Sequence, residues 1–416
     1  MSYLGLSIVF LALALVPTGL LVGDTPPLAQ GAGGGTPTTG TGPERRARPL
    51  ARRTGVRRAA VAGAALVVLV VLTAVFDSLM IWAGFFSYDE ASISGPRIGL
   101  APIEDFTYVV AAVILLPSLW WALEHRGRVA TDLRMLFSTS RPVSWVNTAY
   151  PFAAGYLLAV REVDALLIIG TIFFLVPYNL MMYGINDVFD YESDLLNPRK
   201  GGLEGALVER SGHRRILTFS VLTALPFVLL LIQAGTAASS AVLGVSLFAV
   251  VAYSLRGLRF KEIPFLDSAT SAVHFVSPLV FALVLGGQAL TPGLWALCGA
   301  FFLWSMASQA FGAVQDVTAD RAAGLASIAT VLGARATVRT AAGLYLGAIL
   351  LLLLAPWPAP LAALAVVPYL ANVAPYLRLT DAQCERAHAG WRRFLWLNMV
   401  AGFVVTLLLI WAWQIH

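Results

Sequence analysis

Long runs nearly free of charge recur along the whole chain. In the run 60–85, for instance, Asp77 is the sole ionisable side chain. A bilayer core offers no water to backbone N–H and C=O groups, so a run of about 20 such residues must close its own hydrogen bonds as a helix. Twelve runs qualify, at about 3–22, 60–85, 105–123, 143–160, 164–183, 216–234, 238–254, 270–287, 293–311, 340–355, 358–376 and 394–414. With 58% hydrophobic residues, 12% charged residues and a mean hydropathy of +0.77, no soluble domain reads this way. The expected fold class is an all-α integral membrane protein of about 12 transmembrane helices.

The charges orient these helices. The first run has no basic stretch before it and no small-residue cleavage pattern, so it reads as a retained helix rather than a signal peptide. With the N-terminus outside, 26 of the 28 Lys and Arg fall in cytoplasmic loops, leaving only Arg97 and Arg161 outside. The net charge of +5 therefore reflects orientation in a cell membrane and gives no reason to expect nucleic acid. Cys298 and Cys384 provide neither a disulfide framework nor metal-ligand spacing.

Two breaks organise the chain. Residues 24–58 combine a Gly/Thr/Pro-rich stretch with seven arginines from Arg45 to Arg58, and read as a flexible basic linker beside anionic lipid headgroups. The polar stretch Glu124–Arg141 separates three helices from nine. Expected domains are thus 1–123, containing the 24–58 linker, and 142–416, joined by a cytoplasmic linker at 124–141.

In the nine-helix part, the stretch Tyr183 to Asp194 packs Asp187, Asp190, Glu192 and Asp194 into a few residues, and no Lys or Arg occurs between Arg161 and Arg199. On a continuous helix, positions 187, 190 and 194 stand at roughly 0°, 300° and 340°, on one face. Carboxylates crowded together repel unless a cation sits among them, and an all-oxygen set suits Mg²⁺. Asp316 and Asp320, four residues apart on the same expected membrane side, make a second such set. A diphosphate bridging two metal ions fits between them, with metal, Lys200, Arg256, Arg259 and Lys261 stabilising charge on the leaving oxygens. Arg141, opening the part in Arg141-Pro-Val-Ser-Trp145, is similar. The ordinary reading of these cations is anchoring at the cytoplasmic face. An allylic cation left behind needs an aromatic, water-free pocket; Tyr178, Tyr183, Phe189 and Tyr253 are candidates.

The pattern Asn186-Asp-x-x-Asp-x-x-x-Asp194 followed by Asp316-x-x-x-Asp320 resembles the UbiA superfamily of intramembrane prenyltransferases, over roughly residues 135–416. Within it, the stretches 191–205 and 315–324 resemble the lycopene elongase branch. The resemblance implies nine helices, Mg²⁺, dimethylallyl diphosphate as donor and lycopene as acceptor. It also implies metal binding by Asp187, Asp190, Asp194, Asp316 and Asp320, beside Asn186 as a substrate contact. A UbiA-type enzyme acting on a quinone or other isoprenoid acceptor, with the front helices as an anchor, shares the Asp pattern. Transport is disfavoured, because the carboxylates collect at helix ends rather than at mid-membrane.

In the three-helix part, Asp77 lies inside an apolar run, and a carboxylate there is a functional candidate by default. Glu104 and Asp105 begin the third helix, where the helix dipole alone favours acidic residues. Pro102-Ile-Glu-Asp105, after the Gly-Phe-Phe-Ser-Tyr stretch at 84–88, resembles the small membrane lycopene cyclase family, over about residues 1–123. Its heterodimeric form implies a second three-helix subunit as partner, and a catalytic proton-handling role for Glu104, Asp105 or Asp77. The two resemblances together imply C50 carotenoid biosynthesis: dimethylallyl transfer to the ends of lycopene, coupled to end-group cyclisation.

Overall fold

The apolar runs become helices because the backbone has no other way to satisfy itself in lipid. The computed structural model describes residues 3–21, 44–82, 84, 87–91, 93–195, 208–322 and 324–415. Its α-helices run, in chain order, α1 (Tyr3–Leu15), α2 (Glu44–Trp82), α3 (Phe106–Glu124), α4 (Arg126–Thr139), α5 (Val146–Val160), α6 (Ala165–Leu175), α7 (Pro177–Phe189), α8 (Tyr191–Asp194), α9 (Arg210–Ala234), α10 (Ala237–Ser254), α11 (Leu266–Leu285), α12 (Pro292–Ala313), α13 (Val317–Ala322), α14 (Ile328–Leu352), α15 (Ala363–Val373) and α16 (Ala387–Ile415). A two-stranded hairpin, β1 (Arg97–Ile98) and β2 (Ala101–Pro102), precedes α3. The fold is an all-α, multi-span membrane fold. Among the described residues, ten helical segments are long and apolar enough to cross a bilayer. Of the twelve expected runs, the two that fall short of that length among the described residues are α1, with 13 residues, and α5, with 15.

The arginine-rich stretch differs from the expected flexible linker. From Glu44 it is the first part of the 39-residue helix α2. Arg and Ala are strong helix formers, and extending a helix already nucleated costs little. Residues 24–43 lie outside the described residues.

Contacts divide the chain into two units, Met1–Arg134 with Glu209–Gln233, and Met135–Val208 with Ala234–His416. In the first unit, α3 packs on α1 and α2, and Phe10 meets Tyr108 at 5.9 Å. Helix α9 joins this unit rather than its neighbours in sequence. Arg215 Nη1 pairs with Asp132 at 2.8 Å, Gln233 Nε2 donates to the Gly5 carbonyl, and Gly19 lies so near Phe219 that an added Cβ would stand 3.0 Å from its ring.

In the second unit, Pro177 interrupts the ladder between α6 and α7, having no N–H to donate. Next to this break, the Phe174 carbonyl accepts from Thr148 Oγ1 at 2.6 Å and Asn179 Nδ2 at 2.8 Å. This polar patch sits among buried Phe152, Phe173, Phe174, Tyr178 and Phe281. It re-aims α7, whose far end carries Asn186, Asp187 and Asp190. On the other side, α12 and α14 form the most extensive helix pair, with Tyr345, Tyr369, Phe311 and Phe394 in their shared core.

Candidate active site

Helix α7 ends at Phe189, and Asp190 takes a capping conformation before α8 starts at Tyr191. The continuous helix on which 187, 190 and 194 were expected to share a face is interrupted at the middle carboxylate. Asp187 and Asp190 are both buried. The side chain of Asp194 and all of Lys200 lie outside the described residues.

The carboxylates are also not left without cations, as the local sequence had suggested. Arg141 Nη2 reaches Asp187 Oδ1 at 2.7 Å and stacks its guanidinium 4.3 Å from the Tyr183 ring centroid. Lys261 Nζ pairs with Asp190, and Arg259 stands 3.8 Å from the same carboxylate while also pairing with Glu262. Arg141 and Arg259 both hold positive φ, 50° and 42°. Such backbone in a non-glycine residue costs of order 1 kcal/mol and persists where the surroundings impose it. Burial lowers Lys261 to about 8, against the opposing pull of Glu262 and Asp187. Arg256 is exposed and lines no part of the cavity described next.

Asn186, Asp190, Lys261, Asp316 and Asp320 share the wall of one cavity of ≈ 2320 Å³. Its first polar rim also holds Arg141, Asp267, Gln315 and His388. Asn186 Oδ1 accepts from Ser254 Oγ at 3.0 Å, and Gln315 is fixed by His388 Nδ1 at 2.8 Å. Asp316 ends a 3₁₀ turn after α12 and Asp320 lies in α13, and both face this space. Arg321 Nε and Nη2 grip the Thr330 carbonyl, and its Nη1 holds Asp381 Oδ2 at 2.6 Å. Asp381 Oδ1 in turn accepts from Ala334 N. Gly333 is required in that cradle, at φ 78°, since an added Cβ would stand 3.0 Å from Asp381 Oδ1.

Below the rim the wall becomes apolar and aromatic. Tyr183 and Tyr253 are among its lining residues. Tyr178 and Phe189 are not among its lining residues; Tyr178 is fully buried in the bundle, accepting from Ser246 Oγ. The larger aromatic wall was missed by sequence reasoning: Phe301, Trp304, Tyr369, Trp391 and Phe394, with Trp304 edge-on to Tyr369 at 5.3 Å. A signal was present, since Leu297, Phe301, Trp304, Ser308 and Gly312 recur at helical spacing and lead to Asp316.

In the first unit, Glu104 and Asp105 are buried at the start of α3. Ser94 N–H donates to Glu104 Oε1 and Tyr88 O–H to Asp105 Oδ2, each at 2.7 Å. Burial, then the Asp105 carboxylate, pushes the Tyr88 phenol above its ordinary range. The hairpin is fastened over α2 by Leu100 N–H donating to Ser78 Oγ. Asp77, one residue earlier on α2, is half-buried and close enough to act electrostatically on Asp105.

The site thus sets carboxylates and cations at the rim of a large, mainly apolar cavity in a multi-span helical membrane protein. Residues 148–400 match the UbiA prenyltransferase family, and the chain belongs to that family. It is 53% identical to the C(50) beta-cyclic carotenoids biosynthesis protein LbtBC of Dietzia sp. (strain CQ4), over 84% of this chain and 90% of that one. It is 50% identical to a lycopene elongase/hydratase of Corynebacterium glutamicum, over 67% of this chain and 97% of that one. The Dietzia match covers more than residues 142–416 can supply, so it extends into the front helices. A digeranylgeranylglyceryl phosphate synthase structure aligns over 68% of this chain and 99% of its own, at TM-score 0.50 and 16% identity, a likeness of fold alone.

Proposed function

We propose that this prenyltransferase moves dimethylallyl groups from dimethylallyl diphosphate to the end groups of lycopene, and that its front unit joins a second three-helix subunit to close the end rings. The observation that carries the reading is the cavity: Asp190, Asp316 and Asp320 at one rim, aromatic and aliphatic walls beneath. The named relatives, a C50 carotenoid protein and a lycopene elongase/hydratase, support the choice of acceptor.

The donor set fits Mg²⁺. Among the described residues no three His, Cys, Asp or Glu side chains converge as a ready-made metal site. That suits an ion that takes one or two carboxylates and completes its shell with substrate phosphates and water. When bound, the metal would offset charge building on the departing diphosphate. One ion would be held at Asp190, with Asp187 and Asp194 in support, and a second at Asp316 and Asp320. Lys261, Arg259 and Arg141 orient the diphosphate head, and Asn186 fixes its near edge; Lys200 and Arg256 remain proposed helpers on the same side. Ionisation breaks the C–O bond, and the lycopene double bond attacks the allylic carbon, leaving a tertiary cation against Tyr183 and Tyr253. In the front unit, Glu104 and Asp105 serve as the proton-handling pair for ring closure. The rim lies on the cytoplasmic side, with the N-terminus outside.

Lycopene-loaded membranes containing the chain, supplied with dimethylallyl diphosphate and Mg²⁺, are expected to yield products one and two C5 units heavier by mass spectrometry. Asp190→Ala is expected to lower that yield by at least about 100-fold. No mass gain from folded wild-type protein would overturn the acceptor assignment. Ring products from this chain expressed alone would overturn the second subunit.

A further inference from the structure

The proposed reaction leaves a tertiary cation that must be ended, and one side chain in the cavity wall has the chemistry to end it. His274, on α11, is 3% exposed and lines the cavity. Its Nε2 meets no hydrogen-bond partner among the described residues. The ring lies beside the Ala249 backbone, and a neutral imidazole keeps a lone pair on one of its nitrogens. The Tyr253 ring, also in the wall, stands edge-on to the imidazole at 5.3 Å. Leaving a buried polar atom without a partner is costly, so it calls for a role in the loaded state.

The depth is right for that role. His274 lies seven residues beyond Asp267 on α11, and Gln309 seven before Asp316 on the α12 side, so both stand about 10 Å below the rim. That layer lies under a diphosphate held at the carboxylates, where the new carbon–carbon bond forms. Ser271, one turn nearer the rim on the same face of α11, donates to Gln309 Oε1 at 3.3 Å and continues the polar path upward.

We propose that His274 is the catalytic base that terminates the carbocation formed on the acceptor, an inference that rests on the prenyl-transfer reading above. A C–H bond on a carbon next to the cation breaks, its electron pair becomes the new C=C bond, and the proton passes to Nε2. The imidazolium then gives that proton, along the Ser271–Gln309 side, to the diphosphate released in the same turnover. The net change is one C5H8 gained per end group, with hydrogen diphosphate as co-product and no oxidant or reductant needed. Without the base, the same cation persists until water captures it.

The test runs the lycopene assay in ¹⁸O-labelled water with wild type, His274→Phe and His274→Gln, scoring diphosphate release, C5H8 gain without oxygen, and C5H8 gain with ¹⁸O. Expected is a fall of roughly tenfold or more in the ratio of unhydrated to ¹⁸O-bearing product in both variants. Diphosphate release should stay within about threefold of wild type, because the base acts after ionisation. Glutamine keeps the packing and polarity but accepts no proton, so it must follow phenylalanine. An unchanged product ratio in the glutamine variant would overturn the proposal. So would parallel loss of diphosphate release and of all products in both variants, which marks a packing role. No C5 gain from wild type sinks the prenyl-transfer reading itself.

Discussion

At the scale of single residues, the site is a set of charges that neutralise one another across long stretches of chain. Arg141 and Asp187 are 46 residues apart, Lys261 and Asp190 71. The carboxylates could be picked from the sequence because their local density is anomalous; their partners could not, since no local pattern pairs residues so distant. Lys261 has a measurable consequence. Burial lowers it to about 8, and only the ammonium form attracts a diphosphate. As pH rises through about 8 the charge is lost, so kcat/KM for dimethylallyl diphosphate should fall about tenfold per further unit. Lys261→Arg should move that alkaline limb upward, because guanidinium stays charged; a limb that stays put would remove Lys261 from the diphosphate site. The Arg141–Asp187 pair makes a different point. The Asp187 side chain is 1% exposed and that of Arg141 18%. Arg141→Met removes a charged partner from a buried carboxylate, at up to about 3–5 kcal/mol, whereas Arg141→Met with Asp187→Leu should recover much of the loss. Thermal unfolding in detergent reads both.

At the scale of elements, hydropathy located most helices because a bilayer leaves the backbone few options, but helix breaks were not visible in it. Pro177 ends α6 and Asp190 ends α7, and the second break falls within the stretch drawn as one continuous helix. The α13–α14 connection carries a further expectation. Arg321 follows Asp320 directly and is tied to Thr330 and Asp381. Its ion pair with Asp381 is about 40% exposed on both sides, so it contributes about 0–1 kcal/mol to folding. Its effect falls instead on where Asp320 points. Asp381→Asn should raise the Mg²⁺ concentration for half-maximal prenyl transfer about tenfold, with the unfolding midpoint lowered by no more than about 2 °C. A large fall in midpoint at unchanged Mg²⁺ demand would make the clamp purely structural.

At the scale of the whole molecule, sequence order and packing disagree about α9. The family match at 148–400 encloses it, and hydropathy alone places it with the prenyltransferase helices. Yet Arg215, Phe219 and Gln233 meet Asp132, Gly19 and Gly5 of the front segment. A chain is read as domains by its linkers, and the polar stretch at 124–141 is the obvious one; contacts made by a helix that returns to the first unit leave no mark in composition. If the front helices were an independent appendage, removing Met1–Arg134 would leave the remainder as stable as before. The packing of α9 predicts otherwise. Excision strips partners from the Arg215, Phe219 and Gln233 side chains, and losing even a few kcal/mol should lower the unfolding midpoint by about 4 °C or more. Every residue lining the cavity lies after position 134 and outside 209–233, so the fraction that stays folded should still transfer C5 units. Fluorescence-detected size exclusion after a heating series, with product mass scored on the surviving peak, measures both arms. An unshifted midpoint would mean that α9 holds its place without the front helices.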